Sequence, residues 1–267
     1  GFEMRESVRL ALPENADKAV AYWDVRGMPE AREAILAYHK SRGVENIGLD
    51  DIFIGNGVSE LVQMVMTAAI NNGDEVLIPQ PNYSLWSNCV YMAGGQPVFY
   101  KCDEENEWMP DLDDIRSKIT DRTRALVIIN PNNPTGALYS KELLLDMLEV
   151  ARQNGLLVFS DEIYDRLVMD GLVHYPTASL APDLTVVTMN GLSKSHIICG
   201  FRCGWMVVSN SQNAKDLMGG VLALAAMRLC GNALTQLVIP AALSDPYSTR
   251  AMLVPGGRLY EQREAVC

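Results

Sequence analysis

Asn190-Gly191-Leu192-Ser193-Lys194 follows directly on the apolar run at residues 184–189, and Arg202 stands eight positions after the lysine in Gly200-Phe201-Arg202-Cys203-Gly204-Trp205. The run reads as a buried strand. The polar residues after it then fall at a strand's carboxyl end, where open α/β sheets collect their ligands. One short segment thus offers an amine able to attack a carbonyl and a guanidinium suited to an anion. A lysine alone says little, since most are solvated surface charges. The weight comes from the segments around it.

Outward from that stretch, strand-like and helix-like segments alternate. Pro29 opens a helix with Ala31, Ala34, Ile35 and Tyr38 on one face. Residues 51–54 read as a strand. Val58, Leu61, Val62, Val65, Met66, Ala69 and Ile70 then recur at helical spacing up to Gly73. Residues 75–78 predict a strand, 83–92 a helix and 97–101 a strand. Residues 125–129 are wholly apolar, as a strand buried on both faces should be. Ser140 caps a helix that turns Leu143, Leu144, Met147, Leu148 and Ala151 inward and stops at Gly155. Strands at 156–159, 184–189 and 204–208 complete the pattern. This order predicts an α/β fold with a mostly parallel sheet and helices on both faces.

The bulk properties narrow the function. With 267 residues and 48% hydrophobic content, the chain can build one large domain, or a large domain with part of a second. A formal net charge of -11 argues against a nucleic-acid partner while leaving room for a small anion held locally. The longest apolar stretch, residues 217–229, is interrupted by Gly219, Gly220 and Arg228, so no membrane span is expected. Residues 1–10 carry charges and lack a signal-peptide core. Six cysteines without a Cys-x-x-Cys pair predict reduced thiols in a cytoplasmic protein. Three widely spaced histidines make a metal site unexpected.

Four strand-end segments carry chemistry: Gly55-Asn56-Gly57-Val58-Ser59, the loop at residues 130–136, Ser160-Asp161-Glu162-Ile163-Tyr164, and the lysine segment. Any one of these is commonplace; together they predict a composite site. Asn133-Pro134-Thr135-Gly136, Asp161-x-x-Tyr164 and Ser193-Lys194-x7-Arg202-x-Gly204 occur in that order. In this the chain resembles the fold type I pyridoxal-phosphate aminotransferases of the aspartate and alanine class, from about Tyr22 to beyond Arg202. Residues 55–61, residues 129–137 and Met227-Arg228-Leu229-Cys230 look most like the bacterial glutamate–pyruvate (alanine) group.

The resemblance implies a role for each residue. Lys194 would attach pyridoxal 5′-phosphate as a Schiff base and serve as base and acid at the substrate's α-carbon. Asp161 would pair with the ring nitrogen. Tyr164, read as sharing a helical face with Asp161, would donate to the ring oxygen, as would Asn133, which would also touch substrate. Backbone N–H groups of Gly57 and Val58 at a helix start, the hydroxyls of Ser59 and Ser193, and Arg202 would cup the phosphate. Tyr83 would stack on the ring, and Tyr22 would reach the partner subunit's phosphate in a homodimer. Plain structural readings stand beside these: Asn133 as a turn residue before Pro134, Asp161 as a cap.

The implied reaction is transamination between an amino acid and a 2-oxo acid, with L-alanine and 2-oxoglutarate as first expectation. An aspartate or aromatic aminotransferase, a carbon–sulfur lyase, or a cofactor-binding module without turnover would use the same residues. Two departures are visible. Gly191 stands where many relatives have a hydroxyl, and no residue matches the arginine that clamps the substrate's α-carboxylate. The expected organisation is a remnant of an N-terminal closing segment at 1–20 and a cofactor-binding large domain at 21–245. A connecting helix would begin within 246–267 and lead to a small domain that is largely missing.

Overall fold

Residues 125–129 are apolar without a break because both faces of their strand are covered. The computed structural model describes residues 6–244 and 249–266. Within them one sheet is built from β1 (Ile52–Gly55), β2 (Glu75–Gln80), β3 (Gln96–Asp103), β4 (Met109–Pro110), β5 (Thr123–Ile129), β6 (Leu157–Asp161), β7 (Val186–Gly191) and β8 (Gly204–Val208). Its order is β1-β8-β7-β6-β5-β2-β3-β4. In chain order the helices are α1 (Glu6–Asn15), α2 (Pro29–Ser41), α3 (Val58–Ala69), α4 (Leu85–Met92), α5 (Leu112–Ser117) and α6 (Lys141–Gln153). They continue with α7 (Thr177–Leu180), α8 (Leu192–Ser195), α9 (Lys215–Arg228), α10 (Ala233–Gln236), α11 (Ile239–Ser244) and α12 (Arg258–Glu264).

Strand side chains alternate between two cores. Ile54, Leu126, Ile128, Val158 and Val186 pack with α1, α2, α6 and α11. Phe53, Val127, Phe159, Val187 and Met189 pack with α3, α4 and α9 on the opposite face. The α/β fold with helices on both faces is therefore as the hydrophobic pattern indicates. Local chemistry sets the ends of the clearest helix: Ser140 Oγ accepts from Leu143 N at 3.1 Å at the start of α6, and Gly155 takes φ 62° just beyond it.

The sheet is less uniform than its strand sequence suggests. The central pairs β3–β2, β2–β5, β5–β6 and β6–β7 are parallel, but β8 runs antiparallel to both β7 and β1. The connection at residues 192–203 holds only the single turn α8 and a 3-10 turn, so it cannot cross the sheet and return; the chain folds straight back. Arg202 therefore arrives at the amino end of β8, which lies beside the carboxyl ends of β1 and β7.

That end of the sheet is lined by glycine. Gly55, Gly204 and Gly191 are consecutive partners across β1, β8 and β7. A Cβ on Gly204 would lie 2.6 Å from Val58 N and 2.8 Å from Gly57 C; one on Gly191 would lie 2.6 Å from Cys203 O. The bare backbone lets the first turn of α3 sit directly on the strand end. It also accounts for the departure at Gly191, where any side chain would collide with main chain. Among the described residues no helix is long and apolar enough to cross a membrane.

The contact at Gly204 can be tested against a glycine with free space. Gly204→Ala should lower the unfolding free energy by about 2 kcal/mol, since backbone atoms on both sides cannot yield. Gly219→Ala, in the middle of α9 with nothing within 4 Å of its new methyl, should raise it by roughly 0.5–1 kcal/mol. Denaturant titration of the two variants checks the pair; equal effects would remove the steric reading.

Candidate functional site

Lys194 emerges from α8, one turn past β7, and is half-buried. Its Nζ lies 5.7 Å from the centroid of the Tyr164 ring, on the side where an aromatic face attracts a cation. Tyr164 does not share a helical face with Asp161. Residues 163–166 form a turn, with Asp165 N donating to Glu162 O at 3.0 Å and Leu167 N to Tyr164 O at 2.8 Å. Asp161 is the last residue of β6, and both residues have Lys194 as a neighbour: its Nζ faces the Tyr164 ring, and its charge acts on the Asp161 carboxyl.

Asp161 shares the face of β6 that carries Phe159, toward α4. It is buried, at 4% exposure. Trp86 Nε1 donates to its Oδ2 at 3.0 Å and Ile163 N to its Oδ1 at 3.3 Å. Burial pushes its carboxyl up to about 6, against the hydrogen bonds from Trp86 and Ile163 and the charge of Lys194, which pull it down. A cation placed beside Asp161 would meet a carboxylate short of counter-charge.

The anion end is built by α3 and Arg202. Gly57 precedes α3 with φ 87°, and no side chain caps the first turn. The unpaired N–H groups there favour negative charge. A Cβ at Gly57 would lie 2.4 Å from Arg202 Nη2 and 2.9 Å from its Cζ, so the guanidinium packs directly against the bare glycine. Arg202 takes φ 53° and ψ 51°, a left-handed backbone rare for this residue, while its Nη1 donates to Cys199 O at 3.0 Å.

Asn133 lies in the loop after β5, Ser193 in α8 and Ser59 in the first turn of α3; all three are half-buried. The side chains of Lys194, Tyr164, Asn133, Ser193 and Ser59 make no hydrogen bond with any other described residue. These five polar groups at one end of the sheet are thus open to a ligand. Tyr83 follows β2 at this end and is 44% exposed. Tyr22 is 83% exposed, and within one chain no hydrogen bond or ring contact joins it to the others.

Three supporting features escaped the sequence pattern. Trp86, which fixes Asp161, has no signal beyond its place in an apolar helix. Glu60 ties the Gly55–Gly57 turn by accepting from Asn56 N at 2.7 Å, and Arg228 Nη1 neutralises it at 2.7 Å. Without Arg228, a carboxylate in the first turn of α3 would oppose an anion there. The third is a network around Asp165, the second acid of the same turn. In it Arg42, Tyr38 and Asn190 all meet the Asp165 carboxylate.

The donor set suits a molecule with a carbonyl for Lys194, a basic ring for Asp161 and a phosphate for Arg202 and α3. Comparison with known proteins points the same way. The family model for aminotransferase class I and II matches residues 3–261. The chain is 49% identical over 264 residues to a glutamate-pyruvate aminotransferase of Haemophilus influenzae, covering 98% of this chain and 65% of that one. A crystal structure of an Escherichia coli aminotransferase superposes with a TM-score of 0.97 at 49% identity, covering 99% of this chain and 66% of that one. An alanine aminotransferase from Pyrococcus furiosus gives 0.92 at 36% identity, covering 99% and 67%. The chain thus spans about two thirds of the length of the relatives it matches.

The raised Asp161 carboxyl sets a pH signature in the ligand-free protein. Its folded value of about 6 exceeds the unfolded 3.8, so the native state binds the extra proton between them. Stability from this group is full below the lower value and falls as pH rises toward the upper one, by at most about 3 kcal/mol. Asp161→Asn removes the loss. The variant should gain on wild type in denaturant midpoint as pH rises from about 4 to about 6, then keep a constant lead. A difference that stays flat with pH would contradict the burial reading.

Proposed function

The chain belongs to the class I and II aminotransferases, and from that premise we propose that it binds pyridoxal 5′-phosphate. We propose further that it moves an amino group between an amino acid and a 2-oxo acid, with L-alanine and 2-oxoglutarate as the pair. The observation that carries this reading is that Lys194 Nζ faces the Tyr164 ring and acts on the Asp161 carboxyl at the sheet end where Arg202 lies on Gly57 before α3. The choice of L-alanine is supported by the 49% identity to a glutamate-pyruvate aminotransferase.

When bound, the cofactor supplies an aldehyde that combines with amines and a ring that withdraws electrons. The residues would divide the work as follows. Lys194 Nζ would hold the cofactor through its aldehyde and would be the base that takes, and returns, the proton at the substrate's α-carbon. Asp161 would hold a proton on the ring nitrogen, which in turn would relieve the buried carboxylate. Tyr164 Oη and Asn133 Nδ2 would be neutral donors for the ring oxygen, and Asn133 would also meet substrate. The N–H groups of Gly57 and Val58, the Ser59 and Ser193 hydroxyls and the Arg202 guanidinium take the phosphate. Tyr83 covers one ring face.

A homodimer is part of the proposal. Arg228 Nη2 donates to Val25 O at 2.9 Å, which brings Met227 and Leu229 beside the Tyr22 stretch. Val20, Tyr22, Met227 and Leu229 are 89%, 83%, 81% and 51% exposed. A second copy would cover this apolar surface and bring Tyr22 to its neighbour's phosphate. The free thiols of Cys89, Cys102 and Cys203 support a cytoplasmic setting.

Protein mixed with pyridoxal 5′-phosphate should develop a visible absorbance band that Lys194→Ala abolishes and L-alanine bleaches. No band with Lys194 intact would end the cofactor reading; a band indifferent to L-alanine, L-aspartate and aromatic amino acids would end the transaminase reading. Arg202→Ala should weaken binding of pyridoxal 5′-phosphate by about tenfold or more while leaving pyridoxal, which lacks the phosphate, unchanged. Equal losses for both would take Arg202 out of the phosphate cup. A sedimentation profile of a monomer that still holds cofactor would remove Tyr22 from the site.

A further inference from the structure

Asn190 is the last polar residue before the lysine segment, on the face of β7 opposite to Met189. It points away from Asp161, toward α2. Its Oδ1 accepts from Gly191 N at 2.7 Å and its Nδ2 donates to Asp165 Oδ2 at 2.9 Å. The same Asp165 oxygen accepts from Tyr38 Oη on α2 and is ion-paired with Arg42, the residue just after that helix. Arg42 Nη2 lies 2.8 Å from His174 Nδ1, and His174 Nε2 lies 3.2 Å from Asn130 O. A guanidinium only donates and a carbonyl oxygen only accepts, so His174 takes the Arg42 bond on Nδ1 and gives one to Asn130 O from Nε2. Asn130 opens the loop that carries Asn133, and its Oδ1 accepts from Tyr139 N at 2.9 Å.

One carboxylate therefore sits at the junction of three segments: the turn bearing Tyr164, the segment bearing Lys194 and, through Arg42 and His174, the loop bearing Asn133. Asp165 is 5% exposed and all its bonds fall on Oδ2; its Oδ1 is buried with no partner among the described residues. Burial raises its carboxyl, but the Arg42 guanidinium and the hydrogen bonds from Tyr38 and Asn190 outweigh that and hold it below the usual range. The titratable and charged groups around it are Arg42, Tyr38, His174, Glu162 and Arg166. Arg166 stacks on Tyr38, 4.7 Å from its ring centroid, and Glu162 lies 4.0 Å from His174. An ion pair kept only for stability has no need to reach Asn190 and Asn130 as well.

We propose that Asp165 is a positioning residue. By gripping Asn190 directly and Asn130 through Arg42 and His174, it sets the Lys194 and Asn133 segments relative to Tyr164 and so fixes the tilt of the ring bound between them. Asp165 touches no reacting atom. The inference rests on the cofactor reading above.

The test is visible circular dichroism of pyridoxal 5′-phosphate bound to the protein, expressed per bound cofactor, because that signal reports the ring's orientation in its asymmetric surroundings. Asp165→Asn and Asn190→Leu should each lower it at least twofold, and the double variant should lose little more than the larger single, since both cut one chain of contacts. Tyr38→Phe removes a single hydroxyl from the same carboxylate and should move the signal the same way, less far, if either stronger variant fails to fold. Leu148→Ala, a core truncation in α6, should lower thermal stability yet keep the wild-type signal. Variants with wild-type dichroism, or an equal loss in Leu148→Ala, would overturn the positioning role alone. A wild-type protein that takes up no cofactor would overturn the cofactor reading and this inference with it.

Discussion

The site depends on how closely one helix can approach one strand end. Helix α3 can offer its N-terminal N–H groups to a ligand only if its first turn reaches the sheet, and Gly204 is what permits it, since a methyl there would lie 2.6 Å from Val58 N. The same economy of side chain recurs at Gly57, where the bare backbone receives the Arg202 guanidinium. Positive charge from a helix end and from an arginine are thereby stacked in one place. The antiparallel return of β8 is the topological counterpart of this contact: only a strand entering the sheet here can bring the residue before it to the carboxyl ends of β1 and β7.

The alternation of a strand divides the labour between the two faces of the sheet. Asp161 projects toward α3 and α4, where Trp86 waits, whereas Asn190 projects toward α2. Groups suited to a ligand and groups that hold the frame are thus separated by the thickness of a sheet. Each buried carboxylate is resolved differently. Asp165 is given a guanidinium and stays ionised; Asp161 is given only neutral donors and a more distant amine, and its carboxyl is pushed up. A fully compensated charge makes a rigid anchor, while an under-compensated one stays receptive.

Much of this was legible in the sequence because the informative signals were local. The unbroken apolar runs gave the strands, Ser140 and Gly155 bracketed α6, and Lys194 fell just past the run that became β7. What escaped was set by distance along the chain. Trp86 is 75 residues from Asp161, and Arg42 is 123 residues from Asp165. No spacing rule reaches that far. The direction of β8 depended on the path of a short connection. The turn after β6 was missed because Asp161 and Tyr164 stand at helical spacing, yet the backbone between them makes no helix.

The unrelieved carboxyl of Asp161 has a consequence beyond chemistry. Whatever cation settles beside it in the native chain, and finds no such niche in the unfolded one, draws the folding equilibrium toward itself by mass action. The amount of correctly folded protein then responds to how much of that ligand its surroundings contain. A carboxylate left under-compensated in the fold thus also couples the lifetime of the chain to the supply of its ligand.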